Sequence, residues 1–164
     1  MKRTFFSLAL LLAVATLTAQ TKMTAREAAV KIADRILAST TYEFKNTKTG
    51  EIYKSVKKLP LDMDVKVACK YNNWHYTNGV TNMALMELGD KLGDKKYEKY
   101  VLKNMNFVFN EGNLDFFRKQ YDEAFKRDGW NAVRKLSWHM IFRGKRLDDN
   151  GPMGASLIEL QLKY

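Results

Sequence analysis

The sequence contains few of the residues that form disulfides and metal centres. Among its 164 residues there is one cysteine, Cys69, and there are two histidines, His75 and His139. A single cysteine excludes an internal disulfide, and these three residues do not show the ligand spacing of a zinc site. No neighbouring residue type would activate Cys69 as a nucleophile. We therefore expect no bound metal and no cofactor.

The sequence also lacks an apolar run of membrane-spanning length, which is roughly 20 residues. Its apolar segment over residues 5–15 follows Lys2 and Arg3 and precedes small residues that include Ala19. This order is typical of a secretory signal peptide. We therefore predict a signal peptide over residues 1–20 and export to the periplasm or the medium. A buried or interfacial N-terminal helix is the other interpretation.

Acidic residues are outnumbered by basic ones, and the formal net charge is +10. Removal of a signal peptide would take away Lys2 and Arg3 and lower this charge by two, to +8. A basic surface favours nucleic acid, anionic lipid or acidic polysaccharide as a partner. Because an exported protein rarely meets nucleic acid, we expect an acidic sugar, no nucleic acid and no membrane association after signal removal. The alternative is that most lysines lie on solvated helix faces.

Most of the remaining chain shows a helical spacing of apolar residues. Thr24 and Glu27 have the spacing of a capping box at a helix start. Residues 80–92 then carry an apolar residue at every fourth position, as one face of a helix does. Further helices are predicted from Asp94 to Gly112, over residues 114–125, over residues 130–142 and from Asn150 through Pro152 onward.

One segment departs from the helical spacing. Residues 42–58 alternate between apolar and polar side chains on both sides of a turn-rich stretch at 46–50. This pattern predicts a small β-hairpin, and the residues that follow it, 59–71, are predicted to form a loop. The expected fold class is therefore all-α with a minor hairpin, in one domain over residues 21–164.

A repeat relates two of the predicted helices. The segment Asn78-Gly-Val-Thr-Asn-Met-Ala-Leu-Met-Glu-Leu88 resembles Asn150-Gly-Pro-Met-Gly-Ala-Ser-Leu-Ile-Glu-Leu160, at a constant offset of 72 residues (78 to 150). Repeated helical units bury their apolar faces against neighbouring units. Because the sequence stops four residues after the second copy, we expect an apolar stripe through Leu157 and Leu160 to lack part of its cover, which another chain or a missing part of the protein would supply.

Two segments precede the repeated helices and should emerge at the same end of the assembly. The first carries rings and an amide in Trp74, Tyr76 and Asn78, and the second carries two carboxylates, Asp148 and Asp149. Aromatic rings stack on sugars, amides and carboxylates bind hydroxyls, and a carboxylate in a partly dry site can transfer protons. These five residues are candidate site residues. Trp74 could instead belong to the core, and either aspartate could instead cap the last helix.

At these segments the sequence resembles the unsaturated glucuronyl and rhamnogalacturonyl hydrolases, glycoside hydrolase families 88 and 105. Four motifs carry the resemblance, which extends from about residue 28 to residue 164: Trp74-x-Tyr76-x-Asn78-Gly, Leu88-x-x-x-Leu-Gly-Asp-Lys-Lys-Tyr97, Asn113-Leu-Asp-Phe-Phe117 and Leu147-Asp-Asp-Asn-Gly-Pro-Met-Gly154. The resemblance implies the N-terminal portion of an (α/α)6 toroid, a double ring of helices in which six hairpins surround a central pocket.

The resemblance also implies a chemistry. Members of these families remove a terminal 4,5-unsaturated uronate from oligosaccharides by hydrating its vinyl-ether double bond, after which the sugar ring opens and the aglycone leaves. Asp148 matches the supporting aspartate of that reaction, and Trp74 and Tyr76 match aromatic residues of the pocket wall. The family's principal catalytic aspartate lies in a Trp-x-Asp motif, and this sequence has no such motif. We therefore expect a truncated family member that lacks its main acid.

Two other functions are compatible with the sequence. A non-catalytic, exported carbohydrate-binding helical protein would use the same rings and amides without turnover. A basic nucleic-acid-binding module would show strongly salt-dependent affinity for DNA, but the signal peptide predicted above disfavours it. The sequence leaves the exact glycan and the oligomeric state open.

Overall fold

The structure, a computed structural model, describes residues 23–144 and 147–164, and for Asp149 it describes the backbone alone. The signal peptide predicted over residues 1–20 lies outside the described residues. The described part of the chain divides into two units between Ile32 and Ala33. Within the described residues, no helix is both long enough and apolar enough to span a membrane.

Five helices and one small sheet make up the described part of the chain, so the predicted helical class with a minor β element is confirmed. The helices are α1 (Ala25–Ser39), α2 (Tyr76–Leu92), α3 (Lys96–Phe109), α4 (Glu111–Val133) and α5 (Leu147–Lys163). The strands are β1 (Phe44–Asn46), β2 (Ile52–Tyr53) and β3 (Val65–Val67), and two short 3-10 turns occupy Val56–Lys58 and Lys70–Asn72.

The capping box predicted before α1 is present. The backbone N–H of Glu27 donates to Oγ1 of Thr24 at 3.2 Å, and the N–H of Thr24 donates back to Oε2 of Glu27 at 2.8 Å. The second hydrogen bond stabilises the ionised carboxylate, so the pKa of Glu27 is lowered. Two N–H groups that the first turn cannot pair are thereby satisfied.

The predicted hairpin is confirmed, and the structure adds a strand to it. β1 pairs antiparallel with β2 across a turn in which Oδ1 of Asn46 accepts the N–H of Lys48 at 2.9 Å, and Gly50 adopts φ +79°. β3 pairs antiparallel with the other edge of β1. The loop predicted over 59–71 is therefore wrong at residues 65–67, because a three-residue strand is too short to show an alternating pattern and depends on its partner.

The two copies of the repeat lie on α2 and α5, which pack side by side. A Cβ added to Gly79 in the first turns of α2 would lie 2.4 Å from the backbone nitrogen of Met153 in α5. Near the other ends of the helices, Nζ of Lys163 lies 2.7 Å from Oδ2 of Asp90. Since the N-terminal turns of α2 and α5 contact each other and their C-terminal turns do so too, the two helices are parallel and in register.

The prediction that an apolar stripe through Leu157 and Leu160 lacks part of its cover is wrong for these two residues. Leu160 is buried and Leu157 is partly buried, because both lie in the core cluster that α5 shares with its neighbours. The exposed apolar residues of α5 are instead Ile158 and Leu162, with 65% and 78% of their surface accessible. They lie four residues apart and so share one side of the helix.

An aromatic cluster joins the sheet to the helices. Trp138 is fully buried, with its ring 4.5 Å from that of Phe117 and 5.6 Å from that of Phe107, and Phe44 of β1 stacks on Phe107 at 5.5 Å. The Trp138 indole N–H donates to the carbonyl of Asn72. The cluster therefore fixes the segment after α4 against the sheet and the loop before α2.

The helix predicted over residues 130–142 is wrong beyond Val133. α4 is broken at Asp128 and Gly129, where φ of Gly129 is +50°, and it ends at Val133, after which residues 134–142 form turns. Trp138 itself has φ +57°, outside the helical range. Its backbone N–H donates to Oδ1 of Asn73 at 3.0 Å. Burial of this large ring and its hydrogen bonds to a distant loop override the helical spacing.

Three predicted helix boundaries also shift. Asp94 does not occupy the N-cap position, which belongs to Lys95, although Oδ1 of Asp94 still accepts the N–H of Lys96 at 3.0 Å. Gly112 lies in the first turn of α4 rather than ending the preceding helix. Pro152 is the sixth residue of α5 and therefore lies beyond the first turn. Because proline has no backbone N–H, it cannot donate to the carbonyl of Asp148, four residues before it.

Candidate functional site

The candidate site is a cleft at the N-terminal ends of α2 and α5. Its volume is 480 Å³, and it is lined by His75, Tyr76, Trp130, Arg134, His139, Met140 and Asp148. Two of the predicted site residues, Tyr76 and Asp148, therefore lie in one cleft although 72 residues separate them in sequence. The prediction that the segments preceding the repeated helices emerge at the same end is confirmed.

Trp74 does not line this cleft. The side chain is buried, with 7% of its surface accessible, and its ring packs edge-on against that of Phe109 at 5.8 Å. Its indole N–H donates to Oδ1 of Asn150 at 2.8 Å. Trp74 thus joins the segment before α2 to the first turn of α5, which is the core interpretation of this residue.

Asn78 is also buried and uses its amide within the fold. Its Nδ2 donates to the carbonyls of Lys70 at 2.9 Å and Asn73 at 2.7 Å. Both acceptors lie in the loop before α2. The amide therefore holds that loop in place, and its two N–H groups are directed at backbone rather than at the cleft.

Tyr76 opens α2 and remains largely accessible, at 46% of its surface. Its ring lies 4.7 Å from that of His75, the N-cap residue of α2. Nδ1 of His75 accepts the backbone N–H of Thr77 at 3.4 Å and lies 2.9 Å from Oγ1 of the same residue. Since these contacts engage Nδ1 of His75 and part of the Tyr76 ring, the other ring nitrogen of His75 and the accessible part of the Tyr76 ring remain to contact a ligand.

The carboxylates come from the first turn of α5. Asp148 is the second residue of the helix, is exposed and lines the cleft. Carboxylates are stabilised near helix N-termini, where the N–H groups carry partial positive charge. Asp149 follows in the same turn, and its side chain lies outside the described atoms.

Five residues of the cleft were not among the predicted site residues: His75, Trp130, Arg134, His139 and Met140. Trp130 and Arg134 lie one helical turn apart across the end of α4, and His139 follows in the turns beyond it. The His139 ring lies 5.5 Å from that of Trp130 and its Nδ1 lies 2.7 Å from the carbonyl of Leu136. The i, i+4 spacing of Trp130 and Arg134 was the available signal in the sequence. The break at Gly129, which the sequence did not predict, determines the side of the helix on which these two residues lie.

The Trp130 ring is held in place by a neighbouring arginine. The guanidinium carbon of Arg143 lies 3.7 Å from the centre of the Trp130 ring, within the range of a cation–π interaction. A ring held in this way loses little freedom when a ligand contacts its remaining surface. The cleft therefore offers two aromatic residues, one carboxylate, one guanidinium and two imidazoles.

Among residues 23–144 and 147–164, no group of three or more His, Cys, Asp or Glu side chains is arranged to hold a metal ion. The comparisons with family models, curated proteins and solved structures found no match to this chain.

Proposed function

We propose that this chain is related to the glycoside hydrolases of the unsaturated-uronate type but lacks their principal catalytic aspartate, and that the cleft between α2 and α5 takes the terminal 4,5-unsaturated uronate of an acidic oligosaccharide. The observation that carries the proposal is the meeting of Tyr76 and Asp148 in one cleft, together with Arg134. A carboxylate, a cation and accessible aromatic surface are the groups that an acidic sugar requires.

Each group has a distinct part in binding. The accessible ring of Tyr76 offers an apolar face to the sugar ring, and the Trp130 ring offers a second one. The guanidinium of Arg134 carries the donor geometry that matches a carboxylate, so it is suited to the uronate acid group. Asp148 would accept hydrogen bonds from sugar hydroxyls and would act as the supporting carboxylate of the reaction.

The proposed architecture is the N-terminal portion of an (α/α)6 toroid. The parallel, in-register packing of α2 against α5, with α3 and α4 between them in sequence, supports it. Neighbouring inner helices of a helical ring need this arrangement, because each inner helix must begin at the same end of the pocket. The motif resemblance then associates that end with the sugar.

The proposed reaction adds water across the vinyl-ether double bond, so that a proton goes to one carbon and a hydroxyl to the other. The resulting ring opens and the aglycone leaves. Asp148 is the one carboxylate among the cleft residues whose side chains are described, whereas glycoside hydrolysis normally uses two. Because the sequence also has no Trp-x-Asp motif, we expect this chain to bind the sugar without efficient turnover.

Turnover of an unsaturated digalacturonate by the purified full chain tests this proposal, since hydration abolishes the absorbance of the double bond. We expect consumption no faster than with Asp148→Asn, together with saturable binding of the same sugar. Efficient consumption would show that the chain holds a complete acid–base pair. Absence of binding would contradict the assignment of the cleft itself.

A non-catalytic carbohydrate-binding protein is the second candidate, and the single described carboxylate in the cleft favours it. Specificity separates the two candidates. A hydrolase cleft is shaped for the flattened unsaturated ring, so it should prefer unsaturated to saturated digalacturonate. A binding protein should accept both sugars with similar affinity.

A further inference from the structure

We infer that the chain carries a second site, separate from the uronate cleft, that binds a sulfate or carboxylate group of an acidic glycan. The site is a cavity of 230 Å³ beside the β-sheet and the break in α4. Four cationic residues line it. Lys48 comes from the β1–β2 turn, Lys66 from β3, and Arg127 and Lys135 from the two sides of the helix break.

The segment that follows the break in α4 contributes residues to both cavities. Asp128 and Gly129 leave the helical conformation, with φ of −150° and +50°, so the chain changes direction directly after Arg127. In the short segment that follows, Trp130 and Arg134 line the uronate cleft, whereas Ala132 and Lys135 line the second cavity. Different faces of one segment therefore serve the two cavities.

Three carboxylates also line the second cavity, and one of them is paired with a cation. Oδ2 of Asp64 lies 2.6 Å from Nζ of Lys48, and this contact lowers the pKa of Asp64 and raises that of Lys48. Oδ1 of Asp62 accepts the backbone N–H of Asp64 at 3.0 Å. Asp128, at the helix break, is the third carboxylate.

The other three cations keep their donors available. Within the described part of the chain, Lys66, Arg127 and Lys135 have no ion pair within 4.0 Å, although Lys66 is close enough to Asp64 to contribute to the lowered pKa of that carboxyl. Arg127 is close enough to Lys48 for its positive charge to oppose protonation of that lysine. An anion placed among these groups would relieve this repulsion and accept charge-assisted hydrogen bonds.

The shape and lining of the cavity favour a charged group over a stacked sugar ring. No aromatic residue is among its described lining residues, and most of the lining is polar. A volume of 230 Å³ is below the usual range for a whole ligand, roughly 300–1,000 Å³. One oxyanion and the sugar atoms next to it would fit, so the site is suited to an acidic substituent of a longer chain.

Titration of the ¹⁵N-labelled full chain, followed by amide chemical shifts, tests the site. The probes are inorganic sulfate, a uronate trisaccharide without sulfate, and a trisaccharide whose only charged group is one sulfate ester. We expect saturable shifts at the amides of Lys66 and Gly129. The sugar with the lower Kd, here called the stronger sugar, identifies the acidic group that the site prefers. Shifts that avoid both amides, or that do not saturate with any probe, would overturn the inference.

Substitutions then link binding to charge. The double variant Lys66→Gln and Lys135→Gln should raise the Kd for the stronger sugar about tenfold, which corresponds to about 1.4 kcal/mol. Asp128→Asn should lower this Kd, because it removes a repelling carboxylate. Lys99→Gln, an exposed lysine of α3, is the matched control and should leave the Kd unchanged.

The outcome remains clear if the double variant does not fold, since Lys135 is exposed and Lys135→Gln alone should raise the Kd. A Kd that changes equally in Lys135→Gln and Lys99→Gln would show a diffuse charge effect and contradict a defined site. Tyr76→Ala separates this inference from the proposed function, because it alters the other cavity. It should leave the sulfate-induced shifts at Lys66 and Gly129 intact.

Discussion

Gly79 of α2 and Met153 of α5 bring the two repeat helices into backbone contact. A Cβ at Gly79 would lie 2.4 Å from the Met153 nitrogen and 2.4 Å from the carbonyl carbon of Pro152. Because these neighbours are backbone atoms, they cannot move aside as a flexible side chain could. The glycine therefore sets the separation of the helices whose N-terminal ends form the candidate cleft.

Gly79→Ala should destabilise the fold, because the added methyl group forces α2 and α5 apart. Overpacking of this kind costs about 1–3 kcal/mol. Gly154→Ala is the matched control, since a Cβ there meets nothing within 4 Å. Alanine in a helix is favoured over glycine by about 0.5–1 kcal/mol. Chemical denaturation should therefore show opposite signs for the two variants, and equal signs would refute the close approach.

Asn150→Ala should destabilise the chain by leaving the buried Trp74 indole N–H without the acceptor that lies 2.8 Å away. An unsatisfied buried donor costs about 1–3 kcal/mol. Asn131→Ala, at an exposed position of α4, should have little effect on the free energy of unfolding. Combining Asn150→Ala with Trp74→Phe should cost less than the sum of the single changes. Full additivity would mean that the hydrogen bond contributes nothing.

Stability should fall in acid through Asp34. Its carboxylate accepts the Tyr97 hydroxyl at 2.9 Å and lies 2.9 Å from Nζ of Lys96, and hydrogen bonding to Lys96 is the main reason that its pKa is lowered from 3.8. The unfolded chain therefore binds this proton more readily than the folded chain does. The stabilisation is present above pH 3.8 and is lost as pH falls through the folded-state pKa.

Unfolding free energies of the parent chain and of Asp34→Asn, measured from pH 7 down to pH 2, test this linkage. The variant should be the less stable at pH 7, and the difference should shrink as the parent carboxylate becomes protonated. Asp122→Asn, an exposed position of α4, serves as the control. A difference between parent and Asp34→Asn that stays constant over this range would rule out the proposed role of Asp34.

Arg134→Gln should weaken binding of an unsaturated digalacturonate while leaving a neutral disaccharide unaffected. A hydrogen bond to a charged group contributes about 1.5–3 kcal/mol. Because Arg134 is exposed, we expect the lower end, about a tenfold rise in Kd. Calorimetric titration measures this change, and Lys91→Gln, an exposed cation on α2, is its control. Equal losses for the acidic and the neutral sugar would indicate a role in folding instead.

The sequence predicted those elements that form through interactions between residues close together in the chain. The apolar spacing located α2 and α3, the Thr24–Glu27 pair located the start of α1, and the turn-forming residues after β1 located the hairpin. β3 and the turns after Val133 could not be predicted in this way. One depends on pairing with β1, and the other depends on burial of Trp138 against a distant loop.

The candidate site was predicted only in part. The repeat indicated that the segments before α2 and α5 share one end, which placed Tyr76 and Asp148 together. The sequence could not decide whether Trp74 and Asn78 face a ligand, because burial and partner carbonyls settle that question. It also could not locate Arg134, because the direction of that side chain depends on the break at Gly129.

Calorimetric titration of the full chain with an unsaturated digalacturonate tests the central claim, that the ends of the two repeat helices form a uronate-binding cleft. We predict saturable binding that Tyr76→Ala weakens about two- to tenfold, since an aromatic contact contributes about 0.5–1.5 kcal/mol. Val80→Ala, one turn further along α2 and similarly exposed, should bind as the parent does. No binding, or equal affinity for the parent and Tyr76→Ala, would contradict the account.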